Sequence, residues 1–310
     1  MGHYLLVGAG FSRNWGGPLS DEVTGSLLGE LHDDVVIANA LRRGPFEDAF
    51  AGFHTSAAGP ASASQIRFQK AVIGLFSRLN KSFVAKQFEF SNDVKFLVKA
   101  FLARFDAIFS LNQDLLLEIH YMQSFSSYGR WSGVQLPGMQ GAPPPGHVGP
   151  IDWTTVTWKP TPNPPHSLLQ PLYKLHGSSN WRTETGEQLL IMGNAKTGAI
   201  DRFPVLRRYR EEFAARLNEG NSKLMVIGYS FQDDHINEII ERASKEHGLG
   251  TYLVNPSGRA VLRDPKLARA SIYVPRSIED INLIGELRRP LSAVFGGDSF
   301  AHGELMRFFS

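Results

Sequence analysis

The hydrophobic pattern of the chain consists of short apolar runs separated by longer amphipathic stretches. The first run, at residues 4–7, leads directly into Gly8-Ala9-Gly10. Similar runs follow at residues 106–110, 172–175, 189–192, 224–227, 252–254 and 272–274. Continuous apolar runs of this length, bounded by turn residues, are typical of strands that are covered on both faces. The pattern therefore predicts a sheet of buried strands.

Helical periodicity fills most of the intervals between these runs. It extends through residues 34–105, and apolar positions recur near every 3.6 residues within 65–87. Further helices are predicted at residues 115–122, 207–218, 235–245 and 277–287. This alternation predicts an α/β fold with a doubly wound, Rossmann-like parallel sheet. We expect one domain over residues 1–310, with a helical insertion subdomain at 31–104 and a C-terminal helical tail at 275–310.

One long segment, residues 123–170, interrupts the alternation. It is rich in Pro and Gly, as in the run Pro-Pro-Pro-Gly at 143–146, and it is predicted to be a loop. A loop of this length within a compact domain is usually functional or partly disordered. Its aromatic residues, among them Trp131, Trp153 and Trp158, argue against complete disorder.

Composition and charge narrow the class of protein. Hydrophobic residues make up 42% and charged residues 20%, as in globular proteins with a sizeable core. The net charge of +2 does not favour a nucleic acid or a membrane surface as partner. Because the chain has no cysteine, disulfides, thiolate zinc sites and cysteine nucleophiles are excluded. The apolar runs are too short to span a membrane and no leader precedes the first strand, so we expect a soluble, cytoplasmic protein.

Candidate chemistry lies in the loops that follow the strands, because open parallel sheets bind ligands at the carboxyl ends of their strands. The loop at residues 8–12, Gly-Ala-Gly-Phe-Ser, could let a phosphate approach the backbone, or it could be a plain tight turn. A complete dinucleotide-binding fingerprint would need a third glycine where Arg13 stands.

Polar residues follow the later strands as well. Asn112 and Asp114 could take part in chemistry or simply cap the next helix. A lone histidine at a strand end, such as His176, is more often structural than catalytic. Asp233-Asp234-His235 could suggest a metal site, but three consecutive residues rarely converge on one ion, so capping of a helix is the better interpretation. We therefore predict no metal site.

Taken together, these loops resemble the sirtuin superfamily in both order and spacing. The family motif Gly-Ala-Gly-x-Ser, followed by Gly-x-Pro, is matched at residues 8–12 and 16–18. Its Asn-x-Asp is matched at 112–114, its His-Gly at 176–177, its Gly-x-Ser at 228–230 and its ribose-binding Asn by Asn255. The resemblance covers roughly residues 3–20, 105–120 and 172–275.

Two departures distinguish the chain from the protein deacylases of that superfamily. Leu19-Ser20-Asp21 stands where deacylases have Asp-Phe-Arg, and the four-cysteine zinc module that helps to form their acyl-lysine groove has no counterpart. The helical insertion and the sequence His-Gly-Ser-Ser-Asn-Trp at 176–181 look more like the bacterial sirtuin-like NADases, several of which act in anti-phage defence.

The resemblance implies NAD⁺ as substrate and particular roles for three side chains. Asn112 would hold ribose hydroxyls or a water beside the anomeric carbon, and His176 would act as general base. Asp114 would bind the nicotinamide carboxamide or face the developing cation. The residues that the resemblance assigns to binding of NAD⁺ are Gly8, Ala9, Gly10, Phe11, Ser12, Pro18, Gly228, Ser230 and Asn255.

The expected function is cleavage of the nicotinamide–ribose bond to give nicotinamide and ADP-ribose, as an effector of anti-phage defence. The alternatives are a catalytically silent module that senses NAD or ADP-ribose for a partner and, less favoured, an NAD-dependent deacylase or dehydrogenase. Because destruction of NAD⁺ harms the cell, the resemblance also implies control by homo-oligomerisation or by a partner such as a ring-forming ATPase.

Overall fold

The computed structural model describes residues 1–55, 62–162, 165–193, 196–263 and 276–310. Within them the strands are β1 (His3–Val7), β2 (Ala107–Ser110), β3 (Gly133–Gln135), β4 (Met139–Ala142), β5 (Thr157–Pro160), β6 (Leu169–Lys174), β7 (Gly177–Arg182), β8 (Gln188–Leu190), β9 (Lys223–Ile227), β10 (Gly250–Val254) and β11 (Leu283–Leu287). The helices are α1 (Ala9–Ser12), α2 (Ser20–Leu31), α3 (Val35–Arg43), α4 (Phe46–Thr55), α5 (Ala63–Val84), α6 (Val98–Leu102), α7 (Lys196–Asp201), α8 (Pro204–Leu217), α9 (Asp234–His247), α10 (Leu291–Val294) and α11 (Ser299–Met306). Among these helices, none has both the length and the apolar character to cross a bilayer.

The larger sheet has the order β3-β6-β2-β1-β9-β10-β11, and all neighbouring strands in it are parallel. The chain builds outward from β1 through β2 and β6 on one side, then returns to build β9, β10 and β11 on the other. This reversal beside β1 is the topological switch point of a doubly wound fold. The predicted α/β fold with a parallel, Rossmann-like sheet is confirmed.

The register of the central strands brings their carboxyl ends to one level. Val7 lies opposite Ser110 on one side and Ile227 on the other, and Ile227 lies opposite Val254. The strands can be this apolar because they are buried on both faces, and Val7 itself is fully buried. The loops after β1, β2, β9 and β10 therefore emerge side by side.

Helices α2 to α5 form a hydrophobic core of their own. Helices α3 to α6 lie in the predicted insertion at 31–104, and α2, which precedes it, packs against α3, α4 and α5. Phe68 and Val72 of α5 are fully buried there. Leu190 and Met192 join the same cluster, so these helices rest against the end of β8.

Residues 123–170 are not the continuous loop that their composition predicts. They contain β3, β4, β5 and the start of β6. Strands β4 and β5 join β7 and β8 in a second sheet of order β4-β5-β7-β8. Trp158 of β5 lies opposite Trp181 of β7, and both side chains are buried. Burial of these aromatic residues stabilises an ordered conformation of the segment.

The C-terminal part also departs from prediction. The helix predicted at 277–287 is a short 3-10 turn (Ser277–Asp280) followed by β11, and α10 and α11 complete the tail. Strand β11 pairs with the free edge of β10, where the ring of Tyr252 covers Gly285 so closely that a Cβ would come within 2.5 Å of it. The predicted strand at 272–274 lies outside the described residues.

Candidate active site

A cavity of about 660 Å³ lies at the carboxyl ends of the central strands. Its wall is formed by the loops after β1, β2, β6, β9, β10 and β11, together with residues of α2, α4 and α7. Of the catalytic and NAD⁺-binding residues that the sirtuin resemblance implies, those that line it are Gly8, Ala9, Gly10, Asn112, His176, Gly228, Ser230 and Asn255. A cavity at the switch point of an open parallel sheet is where this class of fold binds its ligands.

The glycines at the cavity floor allow two loops to touch through their backbones. The Gly10 amide donates to the Gly228 carbonyl at 2.9 Å. A Cβ on Gly8 would lie 2.7 Å from that carbonyl oxygen, and one on Gly228 would lie 2.3 Å from the Gly10 carbonyl carbon. Gly228 also has a φ of +65°, which favours glycine. These glycines are therefore needed for contact between the loops, whatever ligand lies above them.

Asn112 has a fixed orientation in the cavity wall. Its Nδ2 donates to the carbonyl of Gly8 at 3.1 Å and to Oγ of Ser12 at 3.0 Å. Because both amide protons are used, the side chain can offer only its Oδ1, as an acceptor, and no described residue bonds that oxygen. The side chain of Asn112 thus offers one hydrogen-bond acceptor to a ligand in the cavity.

Asp114 lies behind this wall rather than in it. Its carboxylate accepts hydrogen bonds from Oγ of Ser12 at 2.8 Å and from the amide of Leu116 at 3.0 Å, so it also caps the following turn. Phe11, Ser12, Pro18 and Asp114 are absent from the described lining of the cavity. Asp114 bonds Ser12, and Ser12 in turn bonds Asn112, which does line the cavity. Contact of these four residues with NAD⁺ stays a prediction.

A buried ion pair lies beneath Asp114. Lys174 donates to Oε1 of Glu118 at 2.6 Å and to the carbonyl of Asp114 at 2.5 Å, and both Lys174 and Glu118 are buried. Burial raises the pKa of Asp114 and that of Glu118, and the ammonium of Lys174 opposes this rise in both. Sequence reasoning did not link Lys174 to this group, because it lies 60 residues from Asp114 and 56 from Glu118 along the chain.

His176 follows β6 and is only 1% exposed. Its neighbour Gly177 has a φ of +74°, and a Cβ there would lie 2.1 Å from the carbonyl oxygen of Leu189. Nε2 of His176 lies 3.0 Å from Nε2 of His235. Burial lowers the pKa of His176 well below its usual value, with a further contribution from Lys196. His176 is therefore held neutral at the cavity wall.

Three further polar residues gather around His176. Asp233 and His235 at the start of α9 face it, and Lys196 of α7 forms an ion pair with Asp233. Burial lowers the pKa of His235 to about 4. Helix capping does not account for Asp233, whose carboxylate makes no capping hydrogen bond. Sequence reasoning missed this cluster because His176 lies far from the other residues along the chain.

The far wall of the cavity was not predicted from sequence. Ser20 and Glu47, which hydrogen-bond each other at 2.7 Å, bring α2 and α4 to the cavity. Arg13 and Arg289 also line it, and Arg289 has no ion-pair partner among the described residues. Arg13 and Ser20 lie in or beside the first family motif, whereas no local motif marks Glu47 or Arg289.

Fold and site together define an α/β protein with a nucleotide-sized cavity at the switch point of its sheet. Residues 106–277, more than half of the chain, match the family model described as a SIR2-like domain. The chain therefore belongs to the SIR2-like domain family. This match confirms the predicted resemblance at the level of the sirtuin-like superfamily. Proteins with this domain are usually enzymes that act on NAD⁺. No curated protein matches the chain.

Proposed function

We propose that the cavity binds NAD⁺ and that the chain hydrolyses the nicotinamide–ribose bond. The observation that carries this proposal is the presence of two side chains, Asn112 and His176, in the wall of one cavity at the switch point. Water adds to the anomeric carbon, the bond from that carbon to the pyridinium nitrogen breaks, and its electron pair leaves with nicotinamide. The products are nicotinamide, ADP-ribose and one proton.

The reaction needs little acid catalysis, because the positively charged pyridinium leaves without being protonated. The site must instead support an oxocarbenium-like ribose and present a nucleophile on the opposite face. The free Oδ1 of Asn112 suits this task, because it can accept a hydrogen bond from a ribose hydroxyl or from the attacking water. Its anchoring to Gly8 and Ser12 holds that oxygen in place before substrate arrives.

His176 is the proposed general base. Its lowered pKa keeps the ring neutral at physiological pH, so that it can accept a proton from water or from a ribose hydroxyl. Asp114 is a positioning residue in this scheme, because it acts on Asn112 through Ser12. Lys174 and Glu118 support the same loop from below.

The remainder of NAD⁺ would extend over the other strand ends. We place the diphosphate near Gly8, Ala9 and Gly10 and the adenosine near Ser230 and Asn255. Arg289, which forms no ion pair with any residue that the structure describes, supplies a positive charge to the same cavity. The absence of cysteine from the sequence supports hydrolysis over protein deacylation, because the chain cannot build a four-cysteine zinc module.

We further propose that the protein serves as an anti-phage defence effector whose activity is controlled by homo-oligomerisation or by a partner ATPase. Exposed apolar side chains, such as Val35 and Val36 on α3 and Phe300 on α11, are compatible with assembly. Light scattering after size-exclusion chromatography tests this point. A monomer alone and in the presence of neighbouring gene products would contradict it.

The proposed activity is tested by chromatography of NAD⁺ after incubation with purified protein. Wild type should release nicotinamide, and Asn112→Ala and His176→Ala should each lower the rate by about 10²-fold or more. Asn282→Ala and His247→Ala, at exposed positions away from the cavity, are the matched controls and should retain the rate.

The other possible products separate the alternatives. Intact NAD⁺ that nevertheless binds, measured by calorimetry, would favour the silent sensor. Reduced cofactor would favour a dehydrogenase, and NAD⁺-dependent loss of an acyl group from a lysine peptide would favour a deacylase. Absence of both turnover and binding would refute the proposal.

A further inference from the structure

Next to the proposed base lies a group of three side chains with the composition and spacing of metal ligands. Nε2 of His176 and Nε2 of His235 are 3.0 Å apart, and these atoms and a carboxylate oxygen of Asp233 all lie within 4.8 Å of one another. Ligands of a tetrahedral Zn²⁺ site, with bonds of about 2.0–2.1 Å, are separated by about 3.3 Å. Small adjustments of the side chains would therefore bring all three to one ion.

The surroundings hold each of these side chains in place. The ring of His176 is 1% exposed and lies against that of His235, with ring centroids 5.1 Å apart. Lys196 bonds one oxygen of Asp233, which leaves the second oxygen as a possible ligand. The amide of Asp233 donates to the hydroxyl of Tyr229 at 3.0 Å, which fixes the start of α9. Outer contacts of this kind orient metal ligands in known sites.

We propose that His176, Asp233 and His235 bind one divalent transition-metal ion of the Zn²⁺ type. Two imidazoles and one carboxylate suit Zn²⁺, whereas Mg²⁺ and Ca²⁺ prefer sites made wholly of oxygen. His176 and Asp233 line the cavity, so an ion held by them would face it and could bind a water as fourth ligand. The sequence-based expectation of no metal considered only residues that are neighbours along the chain.

The consequence for activity rests on the proposed function. A bound ion occupies the nitrogen of His176 that would otherwise accept a proton, so the metal is an inhibitor of NAD⁺ cleavage rather than a cofactor. Loss of the ion would free that nitrogen, so metal binding would suppress NAD⁺ cleavage reversibly.

Metal binding is measured on the full chain, purified without a polyhistidine tag and freed of metal. Co²⁺ serves as the first probe, because tetrahedral Co²⁺ absorbs visible light, and Zn²⁺ is then added to displace it. We expect one Co²⁺ per chain, displaced by Zn²⁺ and unaffected by Mg²⁺. His235→Gln and Asp233→Asn should each weaken binding by at least about tenfold. His247→Gln, an exposed histidine at the other end of α9, is the matched control and should bind as wild type does.

The result that would overturn the proposal is absence of Co²⁺ absorption with wild type, or equal affinity in wild type, His235→Gln and Asp233→Asn. Circular dichroism of each variant identifies loss of folding as a cause of weak binding. In the activity arm, Zn²⁺ should suppress nicotinamide release over the same concentrations that displace Co²⁺. If nicotinamide is never released, the proposed function fails, while the Co²⁺ titration still decides whether the metal site exists.

Discussion

The buried pair of Lys174 and Glu118 gives the sharpest prediction about how the site is supported. In Lys174→Met the side chain keeps a similar length but loses its charge. Glu118 is then left buried beside Asp114 without its only described ion-pair partner. The carbonyl of Asp114 also loses a hydrogen-bond donor. The variant should therefore be strongly destabilised.

The size of the effect follows from the burial of both partners. Removal of one member of a buried ion pair costs about 3–5 kcal/mol, because the remaining charge is left uncompensated. At about 2.1 cal/mol/K per residue over 310 residues, a loss of about 4 kcal/mol lowers Tm by about 6 °C. The double variant Lys174→Met/Glu118→Gln removes both charges and should recover at least half of that loss. Arg207→Met, which removes one member of an exposed pair with Glu211, should change stability by about 0.5 kcal/mol or less.

Urea denaturation and differential scanning calorimetry measure these differences. A single variant as stable as wild type would refute the idea that Lys174 compensates Glu118. A double variant no more stable than the single one would show that the cost comes from lost packing rather than from an unpaired carboxylate. NAD⁺ cleavage, measured well below each Tm, then reports whether the loop that carries Asn112 has shifted.

The remaining predictions concern the cavity itself. Gly228→Ala places a Cβ against the backbone of Gly10 and should reduce NAD⁺ binding. Gly248→Ala, at a similar φ of +70° but in open space, should cost only about 1–2 kcal/mol of stability and leave binding unchanged. Equal affinity of the two variants for NAD⁺, measured by calorimetry, would contradict this prediction. Arg289→Met should raise KM for NAD⁺ with little change in kcat, because it removes a positive charge from the binding wall. Arg288→Met should not, because the Arg288 side chain pairs with Glu286, and equal KM values of the two variants in steady-state kinetics would refute this assignment.

Several features of this protein were determined by local sequence. The apolar runs that became β1, β2, β9 and β10 are too continuous for half-exposed strands, so a parallel sheet covered by helices followed from them. Because parallel strands end at a common edge, the polar residues after them had to lie close together, and Asn112 and His176 do line one cavity. The period of 3.6 residues at 65–87 likewise predicted α5 (Ala63–Val84) almost to its ends.

Tertiary structure decided the rest. The sequence of residues 283–287 is compatible with a helix or a strand. These residues form a strand because they pair with the edge of β10. The tryptophans of β5 and β7 order a segment whose Pro and Gly content indicates a loop, because their burial outweighs local preference. The group of His176, Asp233 and His235 and the pair of Lys174 and Glu118 join residues remote in sequence. Local propensity does not predict contacts of this kind, because they depend on how the helices and strands pack.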